Sequence, residues 1–365
     1  MINGCSMVKV LHVITSLRTG GAEHLMVDLL PELKRRGNEV ELLVFDGTDT
    51  PFKRQLKAEG VKIHQLSVGG CVYNPINVLR LVKFMRHFDV VHTHNTACQL
   101  FAAIAGVLCS AVLCTTEHNT SNRRRDLRWY ALIDRWMYSQ YRAIICISDK
   151  AEKNLRDYLG AGDWPISTVY NGIDVGKYAN AEPDEALVRS KNGRKAIVMV
   201  AGFRYQKDQD TLIKAMKMLP ADEYVLWLVG DGERRSLLER LACSEGVNGR
   251  VRFLGIRTDV AEVLKSADVV VLSSHFEGLS LSSIEGMASG RPFVASDVDG
   301  LHEIVAGNGV LFPHGDAAAL ADVIKKLCND KMEYEAVAGR CQAKAKQYDI
   351  SLMAANYDEV YRSLK

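Results

Sequence analysis

The chain has 365 residues, 46 Lys+Arg against 44 Asp+Glu, 47% hydrophobic and 25% charged, proportions that exclude a disordered or fibrous protein. A single core stops growing beyond roughly 250–300 residues, so this length predicts two domains with a cleft between them as the default site. A formal net charge of +2 lacks the basic excess of a dedicated nucleic-acid binder, so no nucleic-acid partner is expected.

In chain order, short β-branched runs alternate with helical periodicity. The first run, 8–15, leads into Leu17-Arg18-Thr19-Gly20-Gly21-Ala22-Glu23. Paired glycines let backbone amides approach an anion at a helix N-terminus, and a tight strand-to-helix turn would use the same residues. Runs follow at 39–45, 61–66 and 89–92. His92 and His94 could form half a metal site, but no carboxylate stands at ligand spacing, and they read as cleft-lining or core residues. The run 111–116 ends in Thr116-Glu117-His118. A lone histidine there is commonly structural, yet its place at a sheet edge makes it a site candidate.

Residues 119–142 interleave arginines with aromatic residues. On a helix Arg124, Arg128, Arg135 and Arg142 fall within about 40° of one another, opposite Tyr130, Ile133, Met137 and Tyr141. Such a basic amphipathic helix suits an anionic membrane surface, or packing on a sheet with its arginines in water. A run at 143–148 closes the first set. Gly, Asn and Pro then punctuate the charged stretch 174–194, which reads as a linker.

The second set begins at 196–201 and continues at 224–229, 251–254, 269–272 and 292–295, before helical patterns at 316–328, 331–348 and 351–364. Two successive βαβ series predict two doubly wound parallel sheets. After the first of these runs, Gly202-Phe203-Arg204-Tyr205-Gln206-Lys207-Asp208 places two cations where a diphosphate would bind. After 269–272 comes Phe276-Glu277-Gly278-Leu279-Ser280-Leu281-Ser282-Ser283-Ile284-Glu285. The amides of Gly278, Leu279 and Ser280 would open a helix toward phosphate or sugar oxygens. Glu277 and Glu285, ~12 Å apart along a continuous helix, are too far apart for a glycosidase acid/base pair and suit two hydroxyl-bearing parts of one ligand.

Glu277-x7-Glu285 with Gly20-Gly21, Lys207, Thr116-Glu117-His118 and Asn171-Gly172-Ile173-Asp174 resembles the retaining sugar-nucleotide glycosyltransferases of family 4. The resemblance runs over nearly the whole chain. It implies an α/β protein of GT-B fold, two Rossmann-like domains facing a central cleft, with residues 1–180 and 350–365 as the acceptor side and 181–349 as the donor domain. It assigns Glu285 to the nucleotide ribose, Glu277 to a donor-sugar hydroxyl, Lys207 with Gly20 and Gly21 to the diphosphate, and His118 to a place beside the donor sugar. The family usually has an arginine five residues before the lysine. Gly202 stands there, and Arg204 is the residue whose fork could reach the same diphosphate.

The expected protein is a metal-independent, retaining hexosyltransferase without a cofactor. Its catalytic candidates are His118, Glu277, Lys207 and Arg204; its donor-binding candidates add Gly20, Gly21, Gly278, Leu279, Ser280, Glu285 and, through its backbone, Ile256. UDP-sugar is the first expected donor and GDP-mannose the second. A glycan or polyprenyl-linked acceptor in bacterial surface polysaccharide assembly is implied by the resemblance alone. A sugar-nucleotide epimerase or hydrolase on the same fold, or a donor-binding partner subunit, are the competing readings. Nine scattered cysteines without zinc spacing read as buried thiols in a reducing cytoplasm. With no membrane-span or signal-peptide pattern, a cytoplasmic protein is expected, peripheral on the membrane's inner face if the arginine stripe docks there.

Overall fold

The computed structural model describes residues 7–18, 20–118 and 130–365. The chain divides into two compact units, the first made by residues through Gly172 together with Ile350–Lys365, the second by Ile173–Asp349.

The first unit holds strands β1 (Lys9–Ile14), β2 (Glu39–Asp46), β3 (Lys62–Ser67), β4 (Val90–His94), β5 (Val112–Glu117), β6 (Ala143–Cys146) and β7 (Ile166–Thr168). They form one parallel sheet in the order β3-β2-β1-β4-β5-β6-β7. The inner strands β1, β4 and β6 are almost wholly buried, as strands covered on both faces are, whereas the edge strand β3 is polar at most positions and only partly buried. The register pairs His12 of β1 with His92 of β4. The final helix, Ile350–Leu364, belongs to this unit and buries Tyr357 and Tyr361 completely.

The second unit holds β8 (Lys195–Val200), β9 (Tyr224–Val229), β10 (Val251–Gly255), β11 (Val269–Leu272), β12 (Phe293–Ser296) and β13 (Val310–Phe312), parallel in the order β10-β9-β8-β11-β12-β13. Its core runs through Val198, Trp227, Val271 and Phe293, all nearly inaccessible to solvent. Side-chain caps start its helices: Asp208 accepts from the Thr211 amide and Asp316 from those of Ala318 and Ala319, worth typically ~1 kcal/mol each.

Four sequence expectations need correction. Residues 174–194 are a folded part of the second unit, with helices Val175–Ala179 and Glu185–Ser190 capped by Asp174 and Asp184. Asp184 also receives the Arg257 guanidinium at 2.9 Å, so charges that suggested a linker are caps and ion-pair partners. β7 and β13 escaped the sequence reading because a three-residue edge strand shows no periodicity. Among the cysteines, Cys98, Cys114, Cys146 and Cys341 are buried, whereas Cys71 and Cys243 are exposed.

The fourth correction concerns the basic helix. Arg124 and Arg128 lie outside the described residues. In helix Tyr130–Ser139 the inward face is Asp134, Met137 and Tyr138. Tyr158 donates to Asp134 at 2.9 Å and Tyr138 donates to Glu117 at 2.6 Å, and this polar anchoring turns Ile133 outward beside Leu132 and Trp136. Arg135 and Arg142 are exposed on the same region of chain.

Candidate functional site

In the second unit β8 connects outward to β9, while β11 lies on its other side, so the chain reverses direction of winding between β8 and β11. Open α/β sheets bind ligands beyond the carboxyl ends of the strands at such a switch point. The loops following β8 and β11 are fastened together there. The His275 amide donates to the Gln206 carbonyl at 2.8 Å, Gln206 Nε2 donates to the Phe276 carbonyl at 2.9 Å, and Ser273 Oγ donates to the Asp208 carbonyl at 2.7 Å.

Across these loops Lys207 Nζ donates to Glu277 Oε1 at 2.5 Å, and Ser274 Oγ donates to the same oxygen at 2.6 Å. Glu277 Oε2 has no hydrogen-bond partner among the described residues. One carboxylate oxygen is thus held by the protein and the other keeps its capacity to accept a hydrogen bond. Lys207 retains 18% side-chain exposure against 5% for Glu277, enough to leave donor capacity on its ammonium.

Glycines give this loop its shape. Gly300 has φ +83°, and a methyl group there would strike the carbonyl oxygens of Glu277 and Gly278. Gly230 has φ +132° and would strike the Ala201 carbonyl in the same way, so both positions require glycine. Helix Leu281–Ala288 follows directly, with Ser280 as its extended N-cap residue. The amides of Gly278, Leu279 and Ser280 have no protein acceptor among the described residues, and the helix dipole adds a partial positive charge at this end. Glu285 is buried inside the helix, 4% exposed.

Arg204 is exposed, and its Nε lies 4.0 Å from where a side chain on Gly202 would begin. The arginine therefore passes close to the bare α-carbon of Gly202. Ile256 follows β10 and is 63% exposed. The neighbouring Arg257 guanidinium is held by Asp259 and Asp184, whose hydrogen bonds raise its pKa. Asp208, His275 and His314 bring ligand atoms within 4.8 Å of one another and could hold a metal ion. The sequence reading missed this group because the partners come from three separate loops.

In the first unit the switch point lies between β1 and β4. Gly20 is the extended N-cap of helix Gly21–Arg35, and a methyl group on it would collide with the Glu23 carboxylate. The bare α-carbon lets Glu23 fold over the helix start. Burial raises the Glu23 pKa, opposed by its hydrogen bonds, including one to Asn95. An anion arriving at Gly20 and Gly21 must displace that carboxylate. Asn95, at φ +73°, donates to Thr15 at 3.0 Å; an asparagine just past a strand was the available signal, and sequence reasoning passed over it.

His118 follows β5 and pairs its Nε2 with His94 Nδ1 at 3.0 Å. Desolvation pushes its pKa down to about 4, so the imidazole is neutral at physiological pH. His94, His92 and His12 are fully buried; of the two readings of His92 and His94, cleft-lining or core, their burial matches the core one. The missing member was His12, brought beside them by the β1–β4 register. Nitrogens of these three residues lie within 4.8 Å of one another, a spacing open to a metal ion.

Comparison with known proteins agrees with this architecture. Residues 19–177 match Glycosyltransferase Family 4, and residues 194–330 match Glycosyl transferases group 1. The chain is 25% identical over 358 residues to phosphatidyl-myo-inositol mannosyltransferase of Mycobacterium leprae, covering 94% of this chain and 93% of the relative. It is 25% identical over 278 residues to UDP-Gal:alpha-D-GlcNAc-diphosphoundecaprenol alpha-1,3-galactosyltransferase of Escherichia coli, covering 70% of each. The crystal structure of Anabaena Alr3699/HepE in complex with UDP and glucose superposes with a TM-score of 0.84 at 21% identity, covering 98% of this chain and 100% of that one. The two family matches together take in most of the sequence, one lying almost wholly on the first parallel-sheet unit and the other on the second, and the chain therefore belongs to the glycosyltransferases of GT-B fold.

Proposed function

We propose that this glycosyltransferase moves a hexose from a UDP-sugar to a glycan or lipid-linked acceptor, with retention of configuration and without a metal ion, in bacterial surface polysaccharide synthesis. The observation that carries the reading is the Lys207–Glu277 pair joining the two loops at the second unit's switch point, beside the open amides of Gly278, Leu279 and Ser280. In the reaction the bond from the sugar C1 to the diphosphate oxygen breaks, leaving its electron pair on the nucleotide. The acceptor oxygen bonds C1 from the same face and its proton passes to the departing phosphate. Lys207, Arg204 and the amides stabilise the charge that grows on the diphosphate, the kind of preorganised term whose loss costs on the order of 10²–10³ in rate.

Glu277 Oε2 receives a donor-sugar hydroxyl, Glu285 holds the ribose, and the backbone at Ile256 lies beside the base. The first unit contributes Gly20, Gly21 and His118 to the same reaction. Support for UDP comes from the Anabaena neighbour, solved with UDP and with UDP-glucose, and support for a lipid-linked acceptor from the Escherichia coli relative. A mannosyl donor is the second reading, favoured by the mycobacterial relative.

Contact with an anionic membrane surface, through Arg124, Arg128, Arg135 and Arg142, belongs to the same proposal. Its support is the outward apolar cluster of Leu132, 71% exposed, and Trp136, 43% exposed, on the helix that carries Arg135. Among the described residues no helix is long and apolar enough to cross a membrane.

A thermal-shift series with UDP-, GDP-, ADP- and dTDP-sugars, with and without EDTA, tests the donor. A ligand at 100 times its Kd stabilises the fold by about 2.7 kcal/mol. A shift confined to UDP-sugars and indifferent to EDTA is expected. A shift abolished by EDTA would transfer the diphosphate to a metal, with Asp208, His275 and His314 as its first candidate ligands.

A further inference from the structure

Seven side chains of the first unit make one hydrogen-bonded file that ends at His118. His118 Nε2 meets His94 Nδ1 at 3.0 Å, and His94 Nε2 meets His12 Nδ1 at 3.0 Å. His12 Nε2 meets the Tyr361 hydroxyl at 3.3 Å, which meets His92 Nδ1 at 2.6 Å. His92 Nε2 meets Thr116 Oγ1 at 2.8 Å, and that hydroxyl meets Tyr357 at 2.9 Å. Every member except His118 is completely buried, so no link among those six has water as an alternative partner.

Proton counting orders the file. A neutral imidazole carries one N–H and one lone pair, and a hydroxyl has one proton to donate. Burial holds the His12 pKa down to about 3, and those of His92 and His94 well below the ordinary histidine value. Each interior imidazole therefore donates at one end and accepts at the other, passing a single direction along the file. If the direction runs away from His118, the last hydroxyl, Tyr357, has no acceptor among the described residues. If Tyr361 accepts from both His12 and His92, its own proton is stranded instead. A buried hydroxyl without an acceptor forfeits its full desolvation free energy.

Only the opposite direction satisfies every donor. Tyr357 donates to Thr116, Thr116 to His92, His92 to Tyr361, Tyr361 to His12, and His12 to His94. We propose that His94 is a positioning residue whose Nδ1–H donates to His118 Nε2, fixing His118 as the tautomer that carries its proton on Nδ1. His118 then meets its ligand as a hydrogen-bond donor to an oxygen lone pair, and has no free basic nitrogen with which to take a proton. Nδ1 of His118 has no partner among the described residues, which leaves that edge to the ligand. The inference rests on reading His118 as a residue of the transfer site.

The test is long-range ¹H–¹⁵N correlation on histidine-labelled, full-length protein near neutral pH, with His118 assigned by its loss in His118→Gln. The wild type should show His118 protonated on Nδ1. His94→Leu should give mixed tautomers and lower kcat by about tenfold, leaving the donor KM little changed. His94→Gln, which can accept from His12 and donate to His118, should restore both readouts. A wild-type proton on Nε2, or a tautomer indifferent to His94→Leu, overturns the proposal. So does a stoichiometric metal ion in the purified protein whose removal changes the His12, His92 and His94 signals. Wild-type spectra decide the tautomer even if His94→Leu fails to fold. Unchanged turnover in His118→Ala would instead refute the placement of His118 at the reaction, and so separates that failure from a wrong tautomer.

Discussion

The two units solve the same geometric problem with opposite chemistry. Each brings a loop and a helix start to the switch point of a parallel sheet. In the second unit the groups there are charged and half in solvent: Lys207 on Glu277, exposed Arg204, and helix amides open to an anion. In the first unit the corresponding region leads back into a dry file of neutral imidazoles and hydroxyls. Charge suits a ligand that brings charge, because a partly exposed ammonium keeps donor capacity beyond its pairing with the carboxylate. Neutral, buried donors suit orientation, since a ring fixed at one edge has little freedom left at the other.

The difference can be broken most directly by removing charge. Lys207→Ala should lower kcat/KM by on the order of 10²–10³ through lost diphosphate stabilisation, and Glu285→Ala should weaken donor binding by roughly 10- to 100-fold. Calorimetric titration with the UDP-sugar, beside initial rates, reads both. Unchanged affinity in the two variants would remove the donor assignment from the second unit.

Acid should act on the other unit. In the unfolded chain the histidines take up protons near their ordinary value, whereas His12 resists to about 3 and His118 to about 4 in the native fold. The unfolded state binds more protons below about pH 6.5, so stability is full above that pH and is lost as pH falls toward 4. Each of the fully buried His12, His92 and His94 imidazoles contributes up to about 1.4 kcal/mol per pH unit over that window. Hydrogen exchange between pH 7 and 5.5, corrected for its intrinsic pH dependence, should show β1 and β4 losing protection more than β8 and β11. Equal loss in both units would dissolve the contrast.

The smallest effect concerns the membrane. Replacing the outward Leu132 and Trp136 by glutamate should reduce sedimentation with anionic vesicles by a few fold, as an interfacial apolar anchor is lost, while donor affinity stays the same. If vesicle binding is unaltered, the outward cluster has no part in it.

How legible these features were depended on how far apart in sequence their partners lie. Gly278, Leu279, Ser280 and Glu285 stand in one strand–loop–helix segment, so their chemistry and their spacing could be read together. Lys207 and Glu277 are 70 residues apart, yet each sits at the end of a strand with a clear apolar pattern, and the fold rule for parallel sheets places such ends together. The file at His118 offered no such signal. His12 and Tyr361 are 349 positions apart, and an apolar strand with one histidine reads the same whether or not a partner waits beside it.

The amino-acid sequence by itself determined the two parallel sheets, the loops that carry charge, and the family, because strand periodicity, glycine placement and short motifs are local properties of the chain. Tertiary structure alone decided that the Glu23 carboxylate covers the glycine turn, that Ile133 faces outward, and that His12, His92, His94 and the last helix's tyrosines form one file. Those outcomes depend on strand register and on which face each helix buries. Both are set by packing among residues far apart in sequence, where no local pattern records the partner.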